Sequence, residues 1–249
     1  SCELAFLYEK AKKRILVVTP ASSNQNVDYS CINKLAVMGI PSGSVDVGNF
    51  DKELVGIFLS KGLMPYLMMQ GMYIFYKDGD DYYIQIGNLT PNTLPTPHSV
   101  SYMLMSSDVK LPENVSTLLK QGGIIKMAVD KNLMNTIFYL GVGKSLYSLS
   151  INGTTVIPTL IHEFEEEGNI TDFVVTQTWE TSGVASYSQG QVFAASFDNG
   201  DFRVVKRYYD PLSMNWTTKY WVNKNYDGGV VDVIYYNNVS NNNILYCME

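Results

Sequence analysis

The residues best suited to chemistry lie together in Asn215–Asp227. There Trp216, Tyr220, Trp221 and Tyr226 are interleaved with Asn215, Asn223, Asn225, Lys219 and Lys224. None of these is a catalytic nucleophile, and no His stands among them. Flat aromatic faces beside amide and ammonium donors suit sugar binding: the rings cover apolar C–H faces while the donors reach hydroxyls. The same composition also suits the inward face of an antiparallel strand pair, and the segment alone leaves both readings open.

Other candidate motifs lack the partners their chemistry needs. Gly141-Val-Gly-Lys-Ser145 ends like a phosphate-binding loop, but Phe138 stands where that loop requires its first Gly. Its flanks read as strand and strand, whereas a phosphate cradle needs a strand feeding a helix N-terminus. It is read as a turn. His162-Glu-Phe-Glu-Glu-Glu167 has no second His one helical turn on, as a metalloprotease helix requires. It is read as a solvated acidic loop, with weak Ca²⁺ coordination as the alternative. The other histidine is His98, so acid–base schemes built on His have little to work with. No Gly-x-Ser-x-Gly elbow or Ser-x-x-Lys pair occurs. The chain is therefore expected to hold no catalytic residues, metal or cofactor. A glycosidase using two carboxylates stays open, since such acids can come from anywhere in the chain.

The whole chain narrows the classes further. Its 249 residues suffice for one large domain or two small ones. The net charge is −6, and Arg occurs only at Arg14, Arg203 and Arg207, which argues against a phosphate-tracking surface and nucleic acid. No run of 18 apolar residues suggests a membrane span. The chain begins without Met and without a secretory pattern, and is expected to be a processed or excised piece. Cys2, Cys31 and Cys247 make neither a CxxC pair nor a metal pattern, and pairing of Cys2 with Cys31 stays open. Sequons at Asn88, Asn114, Asn152, Asn169, Asn215 and Asn238 point slightly toward a secretory route.

The elements that must position the aromatic segment are mostly strands. Glu3–Lys13 and Asp51–Leu59 read as short helices, with a short strand after Arg14. The Met-rich run Leu63–Met72 has no clean period and reads as core filler or a soft contact surface. From Met72 the texture is β: Tyr73–Ile86 carries an Asp-Gly turn between two aromatic, β-branched arms, a hairpin signal. A Pro-rich connector, Pro91–Pro97, suggests a boundary between 1–92, an α/β segment of unassigned role, and 93–249, a β-rich head. Strands follow at Val100–Met105, Ile124–Val129, Thr136–Leu140, Leu146–Ile151, Thr155–Leu160, Phe173–Thr178, Val192–Phe197, Phe202–Tyr208, Thr217–Val222 and Val230–Tyr236. A helix is expected over Pro112–Gln121, and turns at Asp198-Asn-Gly200 and Asp227-Gly-Gly229. The expected fold is mainly β with a few short helices, either an antiparallel sandwich or one large twisted antiparallel sheet.

Several segments in order resemble a known family. Ser99-Val-Ser-Tyr-Met-Leu-Met105, Ser186-Tyr-Ser-Gln189, Val192-Phe-Ala-Ala-Ser-Phe-Asp-Asn-Gly200, Thr217-Thr-Lys-Tyr-Trp221, Asn225-Tyr-Asp227 and Cys247-Met-Glu249 are similar to the distal, glycan-binding head of rotavirus outer-capsid spike proteins. The likeness covers about the last 155 residues, and residues 1–92 depart from it. It implies a galectin-like sandwich; for a divergent group it allows a single twisted antiparallel sheet flanked by a smaller sheet and a helix. It implies attachment to host cell-surface glycans, without catalysis, at the virion's outer capsid surface, after synthesis in the host cytosol where sequons are not glycosylated. The partners implied are those glycans and the remainder of the spike and capsid. Carried over by position, Lys219, Tyr220, Trp221, Asn223, Lys224, Asn225 and Tyr226 line or support the site. Sialic-acid-binding members have an Arg where this chain reads Lys120-Gln-Gly-Gly123. A carboxylate prefers a bidentate guanidinium, so a neutral galactose- or N-acetyllactosamine-type glycan is expected, with Lys120 a partial substitute. A structural or protein-docking β domain and a β-scaffold glycosidase are the alternative readings.

Overall fold

Alternating apolar and polar positions, cut by Gly-containing turns, build a chain of antiparallel strands. The computed structural model describes residues 5–9, 14–19, 43–49, 52–59, 70–91, 100–104, 107–127, 138–165, 168–182, 186–210, 212–226, 232–237 and 243–248. The chain divides into two compact units, Ser1–Leu111 and Pro112–Glu249. Among the described residues the fold is mainly β with one short helix, and no sheet closes into a barrel.

Among its described residues the first unit holds two antiparallel sheets. One runs β1 (Ala5–Glu9), β2 (Arg14–Thr19), β3 (Gly43–Asn49). The other runs β4 (Glu53–Leu59), β5 (Gln70–Asp78), β6 (Asp81–Pro91), β7 (Val100–Leu104), with β8 (Val109–Lys110) also pairing with β6. The Asp-Gly hairpin expected after Met72 joins β5 to β6, closing on Asp78↔Asp81 with Gly79 at φ 63°. Only glycine takes that conformation without cost. β7 and β8 both return to β6, and the compact division falls between Leu111 and Pro112. Tyr76 is buried and donates its phenolic hydrogen to Asp108, which tethers the segment before β8. Burial first, and then this bond, hold its pKa well above the usual phenol range.

Two expected helices are strands. Glu3–Lys13 contains β1, laddered to β2 with Leu7 opposite Leu16. Asp51–Leu59 contains β4, laddered to β5 with Ile57 opposite Ile74 and Phe58 opposite Tyr73, across a bulge at Leu54/Gly56. A helix this short is marginal alone. Pairing against an apolar strand outweighs its propensity, and in β4 it also gives the Phe58 ring an edge contact with Phe75 at 5.8 Å.

The second unit begins with α1 (Glu113–Lys120), as expected. Glu113 in its first turn and Lys120 in its last complement the helix dipole, and Val115 and Leu119 bury one face. Strands β9 (Ile124–Met127), β10 (Phe138–Val142), β11 (Ser145–Asn152) and β12 (Thr155–Glu163) form a sheet in the order β12-β11-β10-β9. The Gly141–Ser145 segment is the β10–β11 turn, with Gly143 at φ 58°. Strands β13 (Ile170–Ser182), β14 (Ser186–Phe197), β15 (Asp201–Asp210) and β16 (Asn215–Asn225) form a second sheet in sequence order, and β17 (Asp232–Asn237) pairs with β18 (Asn243–Met248). The Asp227-Gly-Gly229 turn lies outside the described residues, as do Cys2, Cys31 and most of the Met-rich run.

The two four-stranded sheets share one core. Tyr139 and Leu146 from the first meet Phe173, Val175, Phe193, Ala195, Phe197 and Val205 from the second, with Phe164 among them. Several antiparallel sheets therefore form the fold, not one. Phe164 also corrects the reading of the acidic run. Its ring sits 5.1 Å from Phe197 and 5.9 Å from Phe193. Burying it draws His162 and Glu163 into β12, so the run does not begin as a solvated loop. A Lys126–Asp172 ion pair at 2.9 Å joins β9 to β13 across the layers.

Candidate functional site

β16 is the terminal strand of its sheet and ladders only to β15 among the described residues. Its hairpin is closed by Asp210, whose carboxylate accepts the Leu212 N–H and the Ser213 hydroxyl hydrogen. Those two bonds hold the Asp210 carboxyl below its usual pKa. At the other end, Gly200 at φ 86° turns the chain so that its carbonyl accepts the Tyr226 N–H at 2.8 Å. Buried Arg203 fastens the pair by donating to the carbonyls of Phe202 and Lys224, both at 2.9 Å.

A strict two-residue alternation would send Tyr220 and Val222 to one face and Trp221 to the other. The ladder does otherwise. Val205 pairs with Tyr220 and Val204 with Val222, leaving Trp221 as the extra residue of a bulge. Val222 joins the apolar cluster of Val192, Ala194, Phe202 and Val204, with Tyr226 packed against the same cluster. The indole of Trp221 lies over the Lys206 ammonium at 5.6 Å, and the Tyr208 ring lies 5.4 Å from that nitrogen. Lys219 stands opposite Lys206, and Lys224 opposite Phe202, on this same face. Burial, then the charge of Lys219, lowers the Lys206 pKa.

The residues expected to form one site therefore separate. Lys219, Trp221, Lys224 and Tyr226 share a face; Trp221 is 51% exposed, whereas Tyr226 is half-buried, its ring edge-on to Phe202 at 6.2 Å. Tyr220, Asn223 and Asn225 lie on the other. Tyr220 hydrogen-bonds His162 Nε2 at 2.9 Å, bridging β16 to β12. The His162 ring packs edge-on to Phe164 at 4.6 Å. The Asn225 amide is occupied structurally, donating to the Asn199 carbonyl and to Asp201 Oδ1 at 2.9 Å. That bond is the main reason the Asp201 carboxyl is held below its ordinary pKa, with Asn199 and Arg203 adding to it against the effect of burial.

Three features were missed by reasoning on the segment alone. Lys206 and Tyr208 complete the Trp221 face from the neighbouring strand. His162 occupies Tyr220. Arg207 reaches Trp216 on the opposite face, its guanidinium carbon 3.9 Å from the ring centroid. The closure Asp210↔Asn215 would have placed Lys206 near Lys219, but nothing in the sequence announces the bulge.

Matched against protein-family models and against curated proteins, the chain finds no family and no relative. Among the described residues no three His, Cys, Asp or Glu side chains converge as metal ligands, and no helix is long and apolar enough to cross a membrane. The arrangement offers an exposed indole flanked by ammonium donors on an open sheet edge. Such a surface stacks on an apolar face while donating hydrogen bonds around it.

Proposed function

We propose that this chain is a non-catalytic attachment module that binds cell-surface glycans, the sugar lying against Trp221. The observation that carries this reading is the half-exposed Trp221 indole, lifted by a bulge onto the face that holds Lys206, Tyr208, Lys219 and Lys224. The groups flanking it on that face are ammonium donors rather than carboxylates, which suits holding hydroxyls more than cleaving a glycosidic bond. A neutral galactose- or N-acetyllactosamine-type chain is the proposed ligand of this face. A single exposed sugar makes few buried contacts, so each site is weak and many copies on one particle supply avidity. The resemblance of the last two-thirds of the chain to rotavirus spike heads supports placing the module on a virion's outer capsid, with the rest of the spike as its partner.

A glycan array probed with wild-type protein and Trp221→Ala tests the reading. Binding of neutral galactosides by wild type, weakened in the variant when the same sugars are titrated as monovalent ligands, supports it. An array blank for wild type overturns it. The open edge of β16 favours a second reading, protein docking by strand addition, which predicts that a blank array would accompany capture of an extended peptide.

A further inference from the structure

We infer that Arg207 and Trp216, on the opposite face of the same hairpin, form a separate site for a carboxylate- or sulfate-bearing group. Arg207 is half-buried, and among the described residues no carboxylate stands within ion-pair distance of it. The arginine four positions back differs: Arg203 has Asp201 at 3.6 Å. The Gln191 side-chain oxygen, 3.2 Å from one Nη, is the acceptor Arg207 has. A guanidinium carries five N–H donors in a planar fork, so most of them face no acceptor among the described residues. Burial lowers its pKa, the signature of a cation whose hydration is reduced without a matching anion.

The surroundings tell against a purely structural role. Trp216, stacked on the guanidinium, is itself 44% exposed, so the pair lies at the surface and not sealed in the core. The Tyr209 ring braces the indole edge-on at 5.8 Å, and Thr218, exposed and opposite Arg207 in the ladder, adds a hydroxyl. Tyr139, 1% exposed, is near enough to act on Arg207 electrostatically, and it opposes the effect of burial on the guanidinium only in part. A stacked guanidinium still presents its N–H edge, which matches two oxygens of a carboxylate or sulfate bidentately. The sequence expectation of a neutral ligand rested on the missing Arg near Lys120. Arg207 supplies that group from a different strand and a different face. The site goes beyond the proposed neutral-glycan face and stands or falls apart from it.

The test titrates the full chain with lactose, N-acetylneuraminyl-lactose, a 3-sulfated galactoside and inorganic sulfate, read by ligand-observed NMR and tryptophan emission. At least one of the carboxylate and sulfated sugars should bind about tenfold tighter than lactose, as a charge-assisted pair allows, and the arm that does so identifies the oxyanion. Arg207→Gln should bring that sugar down to the lactose level, and Arg207→Lys should recover only part of the preference. Inorganic sulfate should perturb the tryptophan emission, and that perturbation should vanish in Trp216→Phe, which keeps the test valid even if Arg207→Gln fails to fold. Equal affinity for charged and neutral sugars, together with no sulfate response, overturns the inference while leaving the Trp221 face untouched. Sulfate binding at Trp216 with no glycan bound anywhere upholds the site and sinks the attachment reading instead.

Discussion

Replacing Trp221 with alanine should weaken neutral-glycan binding about tenfold while the fold stands. The indole is 51% exposed, and an indole presents roughly 250 Å² in all, so about half of that is open to a ligand. A sugar stacked on one ring face covers about half of the open part, near 60 Å², worth about 1.5 kcal/mol at about 25 cal/mol per Å². Affinity should fall about tenfold. The folded protein loses chiefly the contact between Lys206 and the ring, about 0.5–1 kcal/mol at so exposed a site. A monovalent galactoside titrated by NMR is the right assay, because multivalent display would mask a tenfold change. Urea unfolding of the same samples gives the stability change. Unchanged affinity would show that the sugar does not stack there. A stability loss above about 2 kcal/mol would show that the indole works as core rather than as surface.

Gly200→Ala should destabilise by at least about 2 kcal/mol, since a side chain at φ 86° is strained and its Cβ would collide with the Tyr226 carbonyl oxygen; a wild-type urea midpoint would contradict this. Lys126→Met should cost on the order of 1–3 kcal/mol, because Asp172 is nearly buried and would lose the Lys126 ammonium. In that variant Asp172→Asn should restore part of the loss, and additive losses would refute the coupling. Asp201 ionises more readily folded than unfolded, so its contribution to stability is present above the unfolded carboxylate value of about 3.9. It is lost as pH falls from there through the lower folded value. Asn225→Ala should raise the Asp201 midpoint measured by carbon-detected NMR, and an unmoved midpoint would exclude the amide as its main cause. Tyr220→Phe should cost at most about 1 kcal/mol, because the bond to His162 lies at an exposed edge; a larger loss in thermal unfolding would mean that this bond clasps the two sheets.

The sequence by itself determined most of what depends on neighbours along the chain. The Asp78–Asp81 and Asp198–Gly200 turns, the helix at Glu113–Lys120 and most strands between Tyr73 and Tyr236 follow from Gly at turn positions, charges at the helix ends and alternating apolar residues; β8 and β18 do not. The aromatic segment Asn215–Asp227 was legible for the same reason: its composition is local. What only the tertiary structure decided depends on partners distant in sequence. Leu7 and Ile57 are strand residues because Leu16 and Ile74 lie opposite them. His162 belongs to a strand because Phe164 is buried among Phe193 and Phe197. The bulge at Trp221 set the division of the candidate site, since one unpaired residue moves every side chain beyond it to the other face. Arg207 meets Trp216 only because the β15–β16 register brings them onto one face, and register is a property of two strands together that neither strand carries alone.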